Sequence, residues 1–146
     1  MATITTPAKI TLYRLVHVDN LPTLLTRGAL HAPNCTPNDG LPYRTIHNVS
    51  VQVSRHNRGI PCGLRGTCHD YVPFYFGPLS VMLLNLKTGR VADYNEGQAS
   101  LIYLTTTLQR VQDAGRRFVL PWSTAARCSR CRSLPTSCRR RENPCG

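Results

Sequence analysis

The sequence predicts an α+β domain, on three observations. Strand-length runs of β-branched and apolar residues outnumber the stretches with helical spacing. Helix start and stop signals lie between some of those runs. The chain also has 146 residues, 41% of them hydrophobic, which is enough for one core and too apolar for a wholly disordered polypeptide.

Residues 10–16, ITLYRLV, read as a buried strand. A helix is expected directly after it. Asp19 or Asn20 can accept a hydrogen bond from the free N–H groups of a first turn, Pro22 is tolerated there, and Leu21, Leu24 and Leu25 share one face. Gly28 supplies the stop. Residues 32–42 hold three prolines and an Asn-Asp-Gly turn signal, so they form a loop. Within residues 46–58, Val49, Val51 and Val53 alternate, which favours a strand, with a short helix as the alternative. Residues 71–86 contain two apolar runs broken by Gly77 and Pro78 and read as two strands around a turn. LIYLTT at 101–106 is a further strand. Thr107 caps a short helix through Ala114 that Gly115 closes, and RFVL at 117–120 reads as a last strand.

Charge and cysteine are unevenly distributed. The 18 Lys and Arg against 7 Asp and Glu give a net charge of +11, of which residues 120–146 supply +5. That segment also holds Cys128, Cys131, Cys138 and Cys145 and almost no apolar periodicity. We therefore expect a folded unit over residues 10–119 and a disordered Cys- and Arg-rich tail over residues 120–146. No apolar run reaches the roughly 18 residues of a membrane span, and no secretory signal is read at the N-terminus. A cytoplasmic protein without disulfides is the expectation.

Composition and spacing leave the chemistry open. Neither a G-x-G-x-x-G turn after a strand nor a P-loop is present. The four tail cysteines offer one Cys-x2-Cys pair without a matching second pair, so a zinc-organised nucleic-acid-binding tail is kept as the alternative function. The basic body, still +6, suits a phosphate-bearing partner. Tyr71, Phe74, Tyr75 and Phe76 offer stacking surfaces for bases, although core packing is the expected use of so dense an aromatic run. His69 beside Asp70 does not make a relay if the two point to opposite faces of a strand.

Two stretches are more specific. LYRLVHVDNLPTLLTRGAL at 12–30 and HDYVPFYFGPLSVML at 69–83 resemble the DarT family of DNA ADP-ribosyltransferase toxins, and GQASLIYL at 97–104 and AGRRFV at 114–119 continue the likeness. The resemblance implies an ADP-ribosyltransferase-like split α+β fold, incomplete at the C-terminus, that binds NAD without a glycine-rich turn. It implies transfer of ADP-ribose from NAD to thymidine bases in single-stranded DNA, with a macrodomain antitoxin as partner.

The family's first strand ends in a His, an apolar residue and a Thr that hold NAD, and these positions fall on Arg14, Leu15 and Val16. Leu15 keeps the pattern, whereas Arg14 and Val16 depart from it. Thr23 and His31 match further NAD-side positions, and a family Arg falls on Arg55, with Arg58 as the alternative. The family assigns that Arg to proton removal from thymine. A guanidinium with a pKa above about 12 is a poor base, so orienting NAD and stabilising charge is the role expected of Arg55. Arg139, Arg140, Arg141 and Glu142 imitate the family's RR-x-x-E, but Asn-Pro-Cys-Gly follows in place of an apolar strand. The catalytic role is not carried to Glu142, and weak transfer is the expectation.

Overall fold

The computed structural model describes residues 9–60 and 66–119. Strand β1 (Thr11–His17) pairs antiparallel with β2 (Leu101–Thr107) along its whole length, Thr11 opposite Thr107 and His17 opposite Leu101. Helices α1 (Leu21–Arg27), α2 (Val49–Asn57) and α3 (Val81–Lys87) lie between these strands in sequence, and α4 (Leu108–Asp113) follows β2 directly. This is the α+β class expected.

The strand pair forms where the sequence is richest in β-branched and large apolar residues, and it buries Leu12, Leu15 and Val16. Leu15 joins Ile46, Leu86, Val91 and Tyr94 in the core, with Met82, Leu83, Leu101 and Tyr103 packed around them. Tyr13 and Tyr103 meet edge to face with ring centroids 5.8 Å apart, the favourable geometry for opposed aromatic quadrupoles. Gly28 ends α1 at φ 62°, a left-handed conformation that costs a residue with a Cβ about 1–2 kcal/mol. The Thr107 hydroxyl accepts from the Arg110 N–H and starts α4, as its position predicts.

Four expectations are corrected. Residues 49–57 are helical because Asn48 caps them, its Oδ1 accepting from the Ser50 N–H at 2.9 Å, and Val49, Val51 and Val53 all lie exposed. Their alternation is a surface pattern with no strand beside it to pair. Residues 81–87 are also helical. Ser80 accepts from the Leu83 N–H, and Met82, Leu83 and Leu86 meet the core at spacings of one, three and four residues. Residues 71–76 form no strand and make one antiparallel bridge instead, in which Tyr13 and Tyr75 exchange backbone hydrogen bonds of 2.8 Å. Pro73, without an N–H, breaks any longer ladder there. Residues 117–119 are irregular, and residue 120 lies outside the described residues.

Two smaller expectations change as well. Phe76 is exposed and Tyr71, Phe74 and Tyr75 are only half-buried, so this aromatic run is not core. Asn20 occupies the N-cap position of α1 without a capping bond, since its amide is committed elsewhere. The tail 120–146, with its four cysteines and Glu142, lies outside the described residues.

Three carboxylates outside the core hold loops in place. The Arg27 guanidinium binds Asp39 in a two-point fork of 2.6 and 2.7 Å and pushes its carboxyl far below the usual range. Asp70 is lowered by the Thr67 backbone N–H and then by Asn34, and Glu96 by Arg44 and then His17. Each folded pKa lies below its unfolded value of about 3.9 to 4.3. The stability these groups contribute is therefore fully present above that range and is lost as pH falls through the folded values. Thermal unfolding across a pH series should show a steep fall in midpoint below about pH 4 from these carboxylates, after a shallower fall that starts near pH 6.5, where His47, depressed by burial in the folded protein, takes up its proton on unfolding. The fall should be shallower in Asp39→Asn; an unchanged acid limb would remove that pair from the account.

Candidate functional site

The last turn of β1 carries the chain into a cluster built around a buried histidine. His17 is 2% exposed and packs edge to face on Tyr94. Its Nδ1 accepts the Asp19 backbone N–H at 3.2 Å, which leaves the ring proton on Nε2 to be donated to Glu96 Oε2 at 3.1 Å. Both ring nitrogens thus have polar partners, Asp19 on one side and Glu96 on the other. Arg44 closes the cluster by donating to Asp19 Oδ2 at 3.1 Å and to Glu96 Oε1, and its pKa is raised first by Glu96 and then by Asp19.

Asn20 explains how the loop that carries Arg44 is held. Its side chain donates to the Arg44 carbonyl at 2.8 Å and accepts the Arg44 N–H at 2.6 Å. One buried amide therefore imitates a strand partner for the backbone at residue 44. Thr23, also buried, donates its hydroxyl to the Pro42 carbonyl at 2.7 Å. Together the two residues fix residues 42–47 as a wall beside β1.

Between that wall, β1, α2 and residues 68–75 lies a cavity of about 390 Å³. Five residues expected from the sequence, Arg14, Leu15, Val16, His31 and Arg55, line it together. They come from one strand, the segment after α1, and α2. Thr23 does not line it and acts on it through the Pro42 bond. Arg58 does not line it either; its N–H and carbonyl bond the backbone at Arg55 and Cys68. Of the two arginines considered, Arg55 is the one on the cavity.

The cavity is a basic one. Among the described residues, its lining contains no Asp or Glu. Arg27 and Arg44 reach it but are balanced by Asp39, Asp19 and Glu96. Arg14 donates from Nη1 to the Pro73 carbonyl at 3.3 Å, and its buried Nε has no partner. His47 and His69 also line the cavity. Burial pushes the His47 imidazole below its ordinary value, with smaller contributions from His69, Arg14 and Arg55. His69 Nε2 lies 3.1 Å from Gln52 Oε1, and its ring meets that of His56 at 5.3 Å.

His69 and Asp70 sit in a tight turn, Cys68–Asp70, and take no part in a relay. Asp70 is spent on the Thr67 N–H and on Asn34. His17, Arg44, His47, Gln52 and Glu96 are not among the residues expected from the sequence. For His17 a signal was present: HVDN follows the strand directly and lies inside the stretch that carries the family likeness.

A family model described as "ssDNA thymidine ADP-ribosyltransferase, DarT" matches residues 13–138, a span that continues past the change of composition near Leu120. A DNA ADP-ribosyl transferase of Thermus sp. (strain 2.9) is 36% identical over 115 residues, covering 79% of this chain and 53% of the relative. One from Escherichia coli (EPEC) is 36% identical over 105 residues, covering 72% and 47%. Among solved structures, Thermus sp. 2.9 DarT in complex with ADP-ribosylated ssDNA superposes with a TM-score of 0.69 at 35% identity, covering 78% of this chain and 53% of that one. The same protein in complex with NAD+ gives a TM-score of 0.63 at 35% identity, covering 76% and 50%. The chain spans about half the length of the curated relatives it matches.

Proposed function

Since the chain belongs to the DarT family, we propose that its basic cavity holds NAD and that the protein transfers ADP-ribose from NAD to a thymidine base in single-stranded DNA. The bond between ribose carbon and nicotinamide nitrogen breaks. A ring nitrogen of thymine bonds to that carbon, nicotinamide leaves, and the thymine ring proton is released. The observation that carries this reading is the convergence of Arg14, Leu15, Val16, His31 and Arg55 on one cavity.

The cavity suits the ligand chemically. About 390 Å³ falls in the usual range of small-molecule sites, and unbalanced arginines without a facing carboxylate favour a diphosphate. In this reading Leu15 gives an apolar backing to the nicotinamide end. Arg14 and Val16 stand where relatives carry His and Thr, His31 borders the same ligand, and Thr23 keeps the wall in place. Arg55 orients NAD and stabilises charge as thymine loses its proton. A single-stranded target suits the reaction because the base has no pairing or duplex stack to leave before it reaches the ribose. The basic body draws in the DNA backbone through counterion release.

The same reading makes the protein the toxin of a pair whose macrodomain antitoxin removes the mark in the cytosol. Among the described residues no helix is long and apolar enough to cross a membrane.

Thermal unfolding with added NAD tests the proposal. Ligand at a hundredfold excess over Kd stabilises by about 2.7 kcal/mol, and each kcal/mol moves the midpoint of a body this size by roughly 4–8 °C. A saturable rise is expected with NAD; no rise at millimolar NAD would overturn the reading. Labelled NAD and thymidine-containing single-stranded DNA then measure transfer. Labelling is expected to be weak, because Glu142 is not assigned the acid's role, and strong labelling would overturn that expectation alone.

A further inference from the structure

We propose that His47, with Arg14, Arg55 and His69 around it, forms a phosphate-binding subsite in the cavity whose hold on its anion strengthens as His47 takes up a proton. The inference deepens the NAD reading and rests on the same cavity. Three observations support it. Arg14 and Arg55 make no ion pair among the described residues, in contrast to Arg27 and Arg44, each of which has its carboxylate. A buried nitrogen of Arg14 has no hydrogen-bond partner, which is costly unless a ligand supplies an acceptor there. Arg14 from β1, Arg55 from α2 and His69 from the turn Cys68–Asp70 also line the same cavity as His47, close enough for their charge to disfavour its protonation.

That arrangement has a consequence for protonation. In the free protein His47 is partly buried and faces two fixed positive charges, so its neutral form is favoured. A phosphate brought against Arg14 and Arg55 cancels that repulsion and adds an acceptor for a ring N–H. The imidazole then charges at a pH where it was neutral before, and proton and anion bind cooperatively. The shared chemistry is a phosphate oxyanion, supplied either by the NAD diphosphate or by the backbone of the target strand.

Proton NMR of the 146-residue chain tests this through the His47 ring signal, assigned by its loss in His47→Gln. The pH titration is recorded without ligand and with saturating inorganic pyrophosphate, NAD, or a short thymidine-containing single-stranded oligonucleotide. The His47 midpoint should rise with pyrophosphate and with whichever of NAD and DNA supplies the anion. A rise of one unit corresponds to about tenfold tighter binding on the acid side. Affinity for that ligand should accordingly weaken from pH 6 to pH 8 in the wild type and weaken less in His47→Gln, which leaves His69 as the remaining imidazole of the subsite.

An unmoved His47 midpoint in all three arms would overturn the subsite, as would an equal pH dependence in His47→Gln. NAD-dependent stabilisation with a stationary His47 would leave the NAD reading intact and remove this one. Movement with pyrophosphate but not with NAD would support the subsite while counting against NAD as its ligand. Should His47→Gln fail to fold, His47→Asn gives the assignment, and the wild-type midpoints carry the test.

Discussion

Replacing His17 with alanine should destabilise the protein by about 2–5 kcal/mol, the range for removing a fully buried large side chain. The imidazole fills space against Tyr94 and gives both ring nitrogens to partners, so its loss leaves a void, removes the acceptor of the Asp19 N–H and takes away one of the two partners of the Glu96 carboxylate. Arg44 would then hold two carboxylates without the third member that spaces them. The loop at residues 42–47 should loosen, and with it one wall of the cavity. Chemical unfolding of His17→Ala measures the loss. His17→Gln, which keeps a donor toward Glu96, should recover part of it. A cost below about 1 kcal/mol, the level of an ordinary surface substitution, would show that the cluster is not what holds the wall.

Arg55→Ala should weaken NAD binding roughly tenfold to a hundredfold, the equivalent of one charge-assisted hydrogen bond of about 1.5–3 kcal/mol. Arg55 lines the cavity, makes no ion pair among the described residues, and stands on a helix whose start is fixed by Asn48. Removing it should leave the fold intact, since no core residue rests on α2. Titration calorimetry with NAD, alongside an unligated unfolding curve, separates the two effects. Arg55→Lys keeps the charge but not the planar fork, so it should recover only part of the affinity. Unchanged affinity in Arg55→Ala would remove this residue from the site, and Arg58 would not replace it, because it lies outside the cavity.

The parts of the fold legible in the sequence are those whose signal is local. Strands β1 and β2 are dense in apolar and β-branched residues, and α1 and α4 carry their own Gly stop or Thr cap. Helix α2 was hidden by three valines at strand spacing, although the residue that decides the matter, Asn48, stands just before them. Helix α3 was hidden because a short apolar run after Gly77 and Pro78 has no period long enough to separate helix from strand.

The site divides in the same way. Arg14, Leu15, Val16, His31 and Arg55 were reached through family likeness, and the structure places all five on one cavity. The cluster of His17, Asp19, Arg44 and Glu96 could not be read, because it joins a strand end to loops 25 and 79 residues away. Nothing local marks Arg44 as the residue that Asn20 grips. The cavity's imidazoles were missed for a similar reason: His47 and His69 stand far apart in sequence and share one cavity only in the folded chain.

The strand pair also sets how the chain must be made. β1 finishes at His17, and its only ladder partner among the described residues begins at Leu101, about 80 residues later. At about 5–20 residues per second, the ribosome takes roughly 4–17 s to supply that partner. During that interval β1 lacks its ladder partner, and of its strand contacts among the described residues only the bridge between Tyr13 and Tyr75 is already within the synthesised chain. Closing so long a loop costs entropy before any core contact repays it, so folding waits for β2 and should be slow for a body this small. The basic cavity, which Arg14, Leu15 and Val16 of β1 line, therefore takes its final shape only after β2 has been made.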